Sequence, residues 1–151
     1  MVIDDFGHNP DKVAATLATL KAQDGTGGEG GPVIAFFQPH GFGPLRQMGA
    51  ELAATFGRLL GPGDRVILCD PVYFGGTVDR SVGSERIVEM IGAVEGGPLA
   101  EYIPGREDCG ARMVALAAEM SGARPAPRIV VMGARDDTLS QFAWDILARL
   151  G

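Results

Sequence analysis

The fold is decided by residues 33–37, which read Val-Ile-Ala-Phe-Phe and contain no polar side chain. A strand that is buried on both faces has such a continuous apolar pattern, because neither of its faces meets water. Apolar residues at helical spacing follow directly at Leu45, Met48, Leu52, Phe56 and Leu59. A buried strand followed by an amphipathic helix is the repeating unit of a parallel sheet, so residues 33–59 predict one such unit.

The same alternation continues on both sides of this unit. Upstream, Val2-Ile3 predicts a strand, and a helix is predicted from Pro10, where a proline is well tolerated in the first turn. Downstream, residues 66–68, 102–103 and 129–132 predict further short strands separated by helices. Strand and helix alternate about six times. We therefore predict a single α/β domain over residues 1–151, with a doubly wound, mostly parallel sheet of about six strands flanked by helices.

Composition excludes several functional classes. The chain has 151 residues and a formal net charge of −6, with scattered lysines and arginines and no basic stripe, which disfavours nucleic acid and anionic membranes as partners. It has no apolar run of the ~18–20 residues that a membrane span needs, and no secretion signal at residues 1–10. The two cysteines are isolated, which favours free thiols over the alternative of one disulfide. The chain starts inside a strand, so we expect a larger protein upstream, the alternative being a compact natural N-terminus.

Polar clusters follow the predicted strands at residues 4–10, 38–43, 70–76 and 133–137. Ligands of open α/β sheets bind beyond the carboxyl ends of the strands, so these clusters are the candidate site. In the first cluster, Asp5 can accept hydrogen bonds from ribose hydroxyls. His8 and Asn9 can donate to phosphate or carboxylate oxygens at the start of the following helix. For Asn9 the alternative is a helix N-cap next to Pro10.

The later clusters suit an amino acid. His40 and Arg46 could hold its carboxylate, since arginine grips this group with two hydrogen bonds, although a plain surface arginine is the alternative for Arg46. Asp70 could orient a ligand amine or could equally cap a turn, and Tyr73 belongs to the same candidate group. Helix capping is the simpler interpretation of Asp136 and of the aspartate that follows it.

Several catalytic motifs are absent from the sequence. It contains no GxxxxGK[ST], no GxSxG, no HExxH and no GxGxxG after a strand. The residues present could bind and orient ligands, but none is predicted to be catalytic or to ligate a metal.

Four stretches, in the same order along the chain, resemble the Mur ligase family. Residues 3–10 (I-D-D-F-G-H-N-P) are similar to the family's D-D-Y-G-H-H-P, and residues 37–40 match F-Q-P-H. Residues 66–75 resemble V-V-L-L-D-x-Y-x-x-G, and residues 132–136 (M-G-A-R-D) resemble M-G-A-G-D. These motifs are typical of the C-terminal domain of the members that add L-alanine to UDP-N-acetylmuramate. The His-Asn-Pro ending is closer to the folylpolyglutamate and cyanophycin synthetases, which share the domain.

The resemblance implies that this chain is the C-terminal, amino-acid-binding domain of a three-domain ligase. The ligase would be cytoplasmic and would make peptidoglycan precursors. Its reaction would pass through an acyl phosphate and form ADP. ATP and Mg would be bound mainly by the missing central domain, and the fragment alone would be inactive. Its partners would be its own N-terminal and central domains, the amino acid and a UDP-sugar acid. By position, Asp5, His8 and Asn9 match nucleotide-contacting residues, whereas His40 and Arg46 match residues that hold the amino acid. The alternative is a free-standing α/β module that binds a small ligand without catalysis.

The sequence departs from the family pattern where the amino acid would lie. Residues 41–46 read G-F-G-P-L-R, whereas the alanine-adding members have R-Y-T-R-T-R. Arg135 replaces the second glycine of G-A-G-D, Pro71 is extra, and Thr77 replaces a usual glutamate. These differences leave the identity of the amino acid open.

Overall fold

The computed structural model describes residues 1–22, 30–72, 79–133 and 136–151. Tyr73, Thr77 and Arg135 lie outside these ranges. Among the described residues, no helix is both long and apolar enough to cross a membrane.

The described residues form one sheet of five strands, all of whose pairings are parallel. The strands are β1 (Val2–Asp5), β2 (Val33–Gln38), β3 (Arg65–Leu68), β4 (Leu99–Tyr102) and β5 (Arg128–Gly133), in the spatial order β1-β5-β2-β3-β4. The parallel α/β sheet is thus confirmed, with five strands in the described ranges where about six were expected. The strand predicted at residues 102–103 begins earlier, because pairing of β4 with β3 already starts at Leu99.

Five helices alternate with these strands and cover both faces of the sheet, as a doubly wound fold requires. They are α1 (Pro10–Ala22), α2 (Phe42–Leu59), α3 (Ser84–Gly92), α4 (Arg106–Glu119) and α5 (Thr138–Leu150). The first three pack on one face and the last two on the other. Every residue of β2 is buried. Phe36 packs against Phe142 of α5 and Phe37 against Phe56 of α2, with ring centroids 5.1 and 6.1 Å apart.

A crevice is expected where β5 lies between β1 and β2. Helix α5, which follows β5, packs on the opposite face from α1 and α2, which follow the two neighbouring strands. Chains that leave adjacent strands toward opposite faces open a crevice outside the carboxyl ends of those strands. The predicted polar clusters at residues 4–10, 38–43 and 133–137 follow these three strands.

A buried aspartate joins the elements at the other end of the sheet. The side chain of Asp64, in the turn between α2 and β3, accepts hydrogen bonds from the backbone N–H of Val33 and of Gly61, both at 2.8 Å. It also accepts one from Lys21 Nζ at 2.8 Å. Asp64 therefore ties the end of α1, the start of β2 and the turn before β3 to one another.

Both cysteines, Cys69 and Cys109, are free, as their isolated spacing predicted, and the structure buries them in the same face of the core. Burial raises the pKa of each thiol to about 12. Because the thiolate is the reactive form, neither cysteine is a nucleophile at neutral pH.

Candidate functional site

The first polar cluster lies around the start of α1. The side-chain oxygen of Asn9 accepts a hydrogen bond from the backbone N–H of Lys12 at 2.9 Å, so Asn9 caps this helix. The Asp5 carboxylate accepts a hydrogen bond from the hydroxyl of Thr16 in α1. His8 is half-buried, and its Nδ1 lies 3.1 Å from the carbonyl oxygen of Phe6. Since a carbonyl can only accept, Nδ1 carries the proton in this bond and fixes the ring's orientation.

The two histidines of the chain come together in one cleft between the start of α1 and α2. The two-histidine cleft is lined by His8 and His40, by three prolines and by apolar side chains of α2, namely Pro10, Pro39, Pro44, Leu45, Met48 and Leu52, together with Phe37 and Gly49. The cleft has a volume of about 20 Å³, enough for about one water molecule, so a ligand that contacts both imidazoles would lie across its mouth.

The structure does not bring all of the predicted residues into this cleft. Asp5 lines a separate groove between β1 and α1, together with Ile3 and Thr16. Arg46 is exposed on α2 and forms an ion pair with Asp79, with 3.1 Å between Nη1 and Oδ2. Both partners of this ion pair are about half exposed, so the pair is weak and Arg46 can exchange it for another anion.

Asp70 follows β3 and is tied to the end of β4. Its carboxylate accepts a hydrogen bond from the hydroxyl of Tyr102, and its backbone N–H donates to the carbonyl of Pro104 at 3.1 Å. The bond to Asp70 raises the pKa of Tyr102 to about 12, so the phenol stays a donor at neutral pH. Tyr73, predicted beside Asp70, lies outside the described residues.

A polar network that the sequence did not predict lies at the carboxyl ends of β2 and β5. The Arg106 network consists of Gln38, Arg106, Asp136 and Thr138. Arg106 Nη1 donates to Asp136 Oδ2 at 2.6 Å and to Gln38 Oε1 at 3.2 Å, and Nη2 donates to Thr138 Oγ1 at 2.7 Å. Gln38 Nε2 completes the network by donating to Asp136 Oδ2 at 3.1 Å. It joins the first turns of α4 and α5 to the end of β2.

The helix-capping interpretation is not confirmed, because the N-cap of α5 is Asp137 and its side chain makes no capping hydrogen bond. Asp136 lies one residue earlier, and its Oδ1 accepts the backbone N–H of Thr138, the first residue of α5, at 2.9 Å. Partial burial tends to raise the pKa of this carboxyl. Hydrogen bonds from Thr138, Gln38 and Arg106 outweigh burial and hold the pKa well below its ordinary value.

We expect the Asp136→Asn variant to have a flatter acid-denaturation profile than the wild type. A carboxyl whose pKa is lowered by folding stabilises the fold above its unfolded pKa of 3.8, and this contribution is lost as the pH falls toward the folded pKa. The free energy of unfolding, measured with urea between about pH 5 and pH 2, should therefore fall more steeply in the wild type. Parallel curves would contradict the role of Asp136.

Comparisons with known proteins agree on one family. Residues 1–138 match the family model described as Mur ligase, glutamate ligase domain. The UDP-N-acetylmuramate–L-alanine ligase of Mycobacterium sp. (strain JLS) is 35% identical over 139 residues, which are 91% of this chain and 25% of that protein. The corresponding ligase of Rubrobacter xylanophilus is 29% identical over 149 residues, which are 99% of this chain and 30% of that protein.

A solved structure shows the same fold. Folylpolyglutamate synthase of Mycobacterium tuberculosis, solved in complex with ADP and AMPPCP, has a TM-score of 0.58 and 15% identity. The match covers 97% of this chain and 29% of the synthase chain. The chain thus spans between a quarter and three tenths of the length of these relatives.

Proposed function

The chain belongs to the Mur ligase family, as a glutamate ligase domain, and we propose that it is the C-terminal domain of an ATP-dependent, ADP-forming ligase that joins an amino acid to a UDP-N-acetylmuramate-type acid. The observation that carries this proposal is the family match over residues 1–138, which runs from before β1 into the first turn of α5 and includes the whole two-histidine cleft. The parent protein would be a cytoplasmic enzyme of peptidoglycan precursor synthesis.

In this proposal the domain binds and orients, and the remainder of the ligase activates the acid. Bound ATP, with Mg²⁺, would supply the phosphoryl group that turns the acceptor carboxylate into an acyl phosphate. Because Nδ1 of His8 donates to Phe6, His8 would donate to nucleotide phosphate oxygens through Nε2, as an imidazolium, near the capped start of α1, whose N-terminal partial charge favours anions. Asp5 and Asn9 would contact the nucleotide beside it. His40, with Arg46 and Asp70, would hold the amino acid so that its amine reaches the acyl carbon.

The side chains of this domain are consistent with a role in binding and orienting ligands. The described residues contain no cluster of three or more histidine, cysteine, aspartate or glutamate side chains that could hold a metal ion. The resemblance to the family, and not this absence, is the basis for assigning Mg²⁺ and the phosphate-binding loop to the central domain. The two imidazoles of the cleft are suited to the anionic groups of a ligand that lies across its mouth.

An assay of the complete ligase that contains this domain tests the proposal. With ATP, Mg²⁺ and UDP-N-acetylmuramate, ADP should be released only when a suitable amino acid from a panel of twenty is added. The 151-residue chain alone should release none, because the phosphate-binding loop is absent from its sequence. Tight, Mg-dependent binding of ATP to the chain alone, measured by calorimetry, would instead favour a free-standing binding module.

Two histidine variants provide the internal control for this assay. The His40→Gln variant should raise the KM for the amino acid about tenfold, the loss expected for one charge-assisted hydrogen bond, and leave the KM for ATP nearly unchanged. The His8→Gln variant should show the opposite pattern. Equal effects of both variants on both substrates would contradict the separate roles assigned to the two imidazoles.

A further inference from the structure

We propose that Arg106 is a positioning residue that holds the amino-acid-binding end of this domain in its working geometry, acting through Gln38 on the turn that carries His40. The inference rests on the proposed function, because it assigns a role to the surroundings of the same site. Arg106 itself does not line the two-histidine cleft and packs on the opposite face of the sheet.

The first step of the argument is that Arg106 fixes the Gln38 side chain. Gln38 is the last residue of β2, and only 3% of its surface is exposed. Its oxygen accepts a hydrogen bond from Arg106, and its nitrogen donates to Asp136, so both ends of the amide are held. Loss of Arg106 leaves the amide oxygen to the weaker thiol donor of Cys69, at 3.9 Å, and this favours a turn of the amide, because a poorly satisfied buried polar group costs up to about 1–3 kcal/mol.

The second step connects Gln38 to the predicted ligand-binding residues. Gln38 is followed by the buried Pro39 and then by His40, so a shift in the backbone of Gln38 is passed within two residues to the turn that carries His40. The carbonyl of Pro39 also accepts a hydrogen bond from the backbone N–H of Val72 at 3.2 Å, two residues after Asp70. The position of the β2 end therefore sets both the turn with His40 and the loop that begins at Asp70.

The third step is that Arg106 is held rigidly enough for this role. Its guanidinium donates to side chains of β2, of α5 and of the loop before α5, and it lies 5.4 Å from the ring centroid of Phe142. Its side chain is 29% exposed. Arg112 on the same helix offers a matched comparison, since it is 35% exposed and pairs with Glu101 at 2.8 Å. Glu101 lies within β4, so this second ion pair makes no contact with the β2 and β5 ends.

Steady-state kinetics of the complete ligase test the proposal. The Arg106→Met variant should raise the KM for the amino acid about tenfold while the KM for ATP stays within about twofold, because small misplacements of a binding group weaken binding of the substrate that it holds. Arg106→Lys, which keeps the charge near Asp136, should restore most of the loss. Arg112→Met, which breaks a somewhat more exposed ion pair on the same helix, should leave both KM values unchanged.

The outcomes separate this inference from the proposed function. If the wild-type ligase releases no ADP with any amino acid, the proposed function fails, and the role of Arg106 fails with it. If the wild type is active but Arg106→Met and Arg112→Met affect the amino-acid KM equally, the positioning role alone is overturned. If Arg106→Met does not fold, the Asp136→Asn variant provides the test. A raised KM for the amino acid, with an unchanged KM for ATP, would support the positioning role of Arg106. An unchanged KM for the amino acid would overturn it.

Discussion

Asp64→Ala is expected to lower the free energy of unfolding of this chain by about 3–4 kcal/mol, because the backbone N–H groups of Val33 and Gly61 lose a charged acceptor at about 1–3 kcal/mol each. The side chain of Asp64 is 5% exposed and accepts three hydrogen bonds at 2.8 Å. The variant leaves the N–H of Val33, a residue with no exposed surface, without its partner, and each such group costs about 1–3 kcal/mol. Lys21 contributes less, because its side chain is 34% exposed and regains water.

Urea denaturation followed by circular dichroism measures this effect. Asp64→Asn retains the shape and one acceptor, so it should lose about half as much stability as Asp64→Ala, on the order of 1–2 kcal/mol. Glu89→Ala, which breaks an exposed ion pair with Arg86, should change the free energy of unfolding by less than about 0.5 kcal/mol. A loss below about 1 kcal/mol for Asp64→Ala would show that water replaces the carboxylate at this end of the sheet.

The fold could be predicted because its central strands are buried on both faces. Residues 33–37 lack polar alternation, and β2 accordingly lies inside the sheet with helices above and below it. The apolar pattern predicts the bounds of β4 less accurately, because Leu99 of this strand is 58% exposed and its Glu101 pairs with Arg112. An edge strand meets water on one side, so its apolar pattern is interrupted and its first residue cannot be located from the pattern.

The site was predictable where it depends on local geometry or on the strand ends. Asn9 and its partner Lys12 are three residues apart, so capping of α1 is a local event. His8 and His40 follow two parallel strands, which explains why they meet in one cleft although 31 residues separate them in the sequence. The Arg106 network depends instead on β5 lying next to β2. The residues around Arg106 do not indicate the order of the strands in the sheet. The hydrogen-bond partners of Arg106 could therefore not be predicted from the sequence pattern.

Gly133→Ala is expected to be the other strongly destabilising substitution, with a loss of about 2–4 kcal/mol in the free energy of unfolding. Gly133 ends β5 with a φ of +153°, a conformation that side chains rarely adopt. A Cβ built there would lie 2.7 Å from the carbonyl oxygen of Gln38 and 3.2 Å from its nitrogen. Both contacts are with the backbone of β2, which cannot move aside without breaking the pairing of Gln38 with Gly133.

A control glycine separates strain from the general effect of adding a methyl group. Gly92→Ala, at the end of α3, places its Cβ in open space, and alanine is a better helix former than glycine. This variant should therefore be neutral or more stable by up to about 1 kcal/mol. If Gly133→Ala is also neutral in urea denaturation, the ends of β2 and β5 are free to move apart.

The Gly133→Ala substitution should also weaken binding of the amino acid, because the added methyl group would displace Gln38. Its added Cβ presses on Gln38, the residue that the Arg106 network holds and from which the turn with His40 begins. In the complete ligase, Gly133→Ala should thus raise the KM for the amino acid in the same direction as Arg106→Met, by at least about tenfold. A variant that loses stability but keeps the wild-type amino-acid KM, at a temperature where it is fully folded, would show that strain at the β5 end does not reach His40.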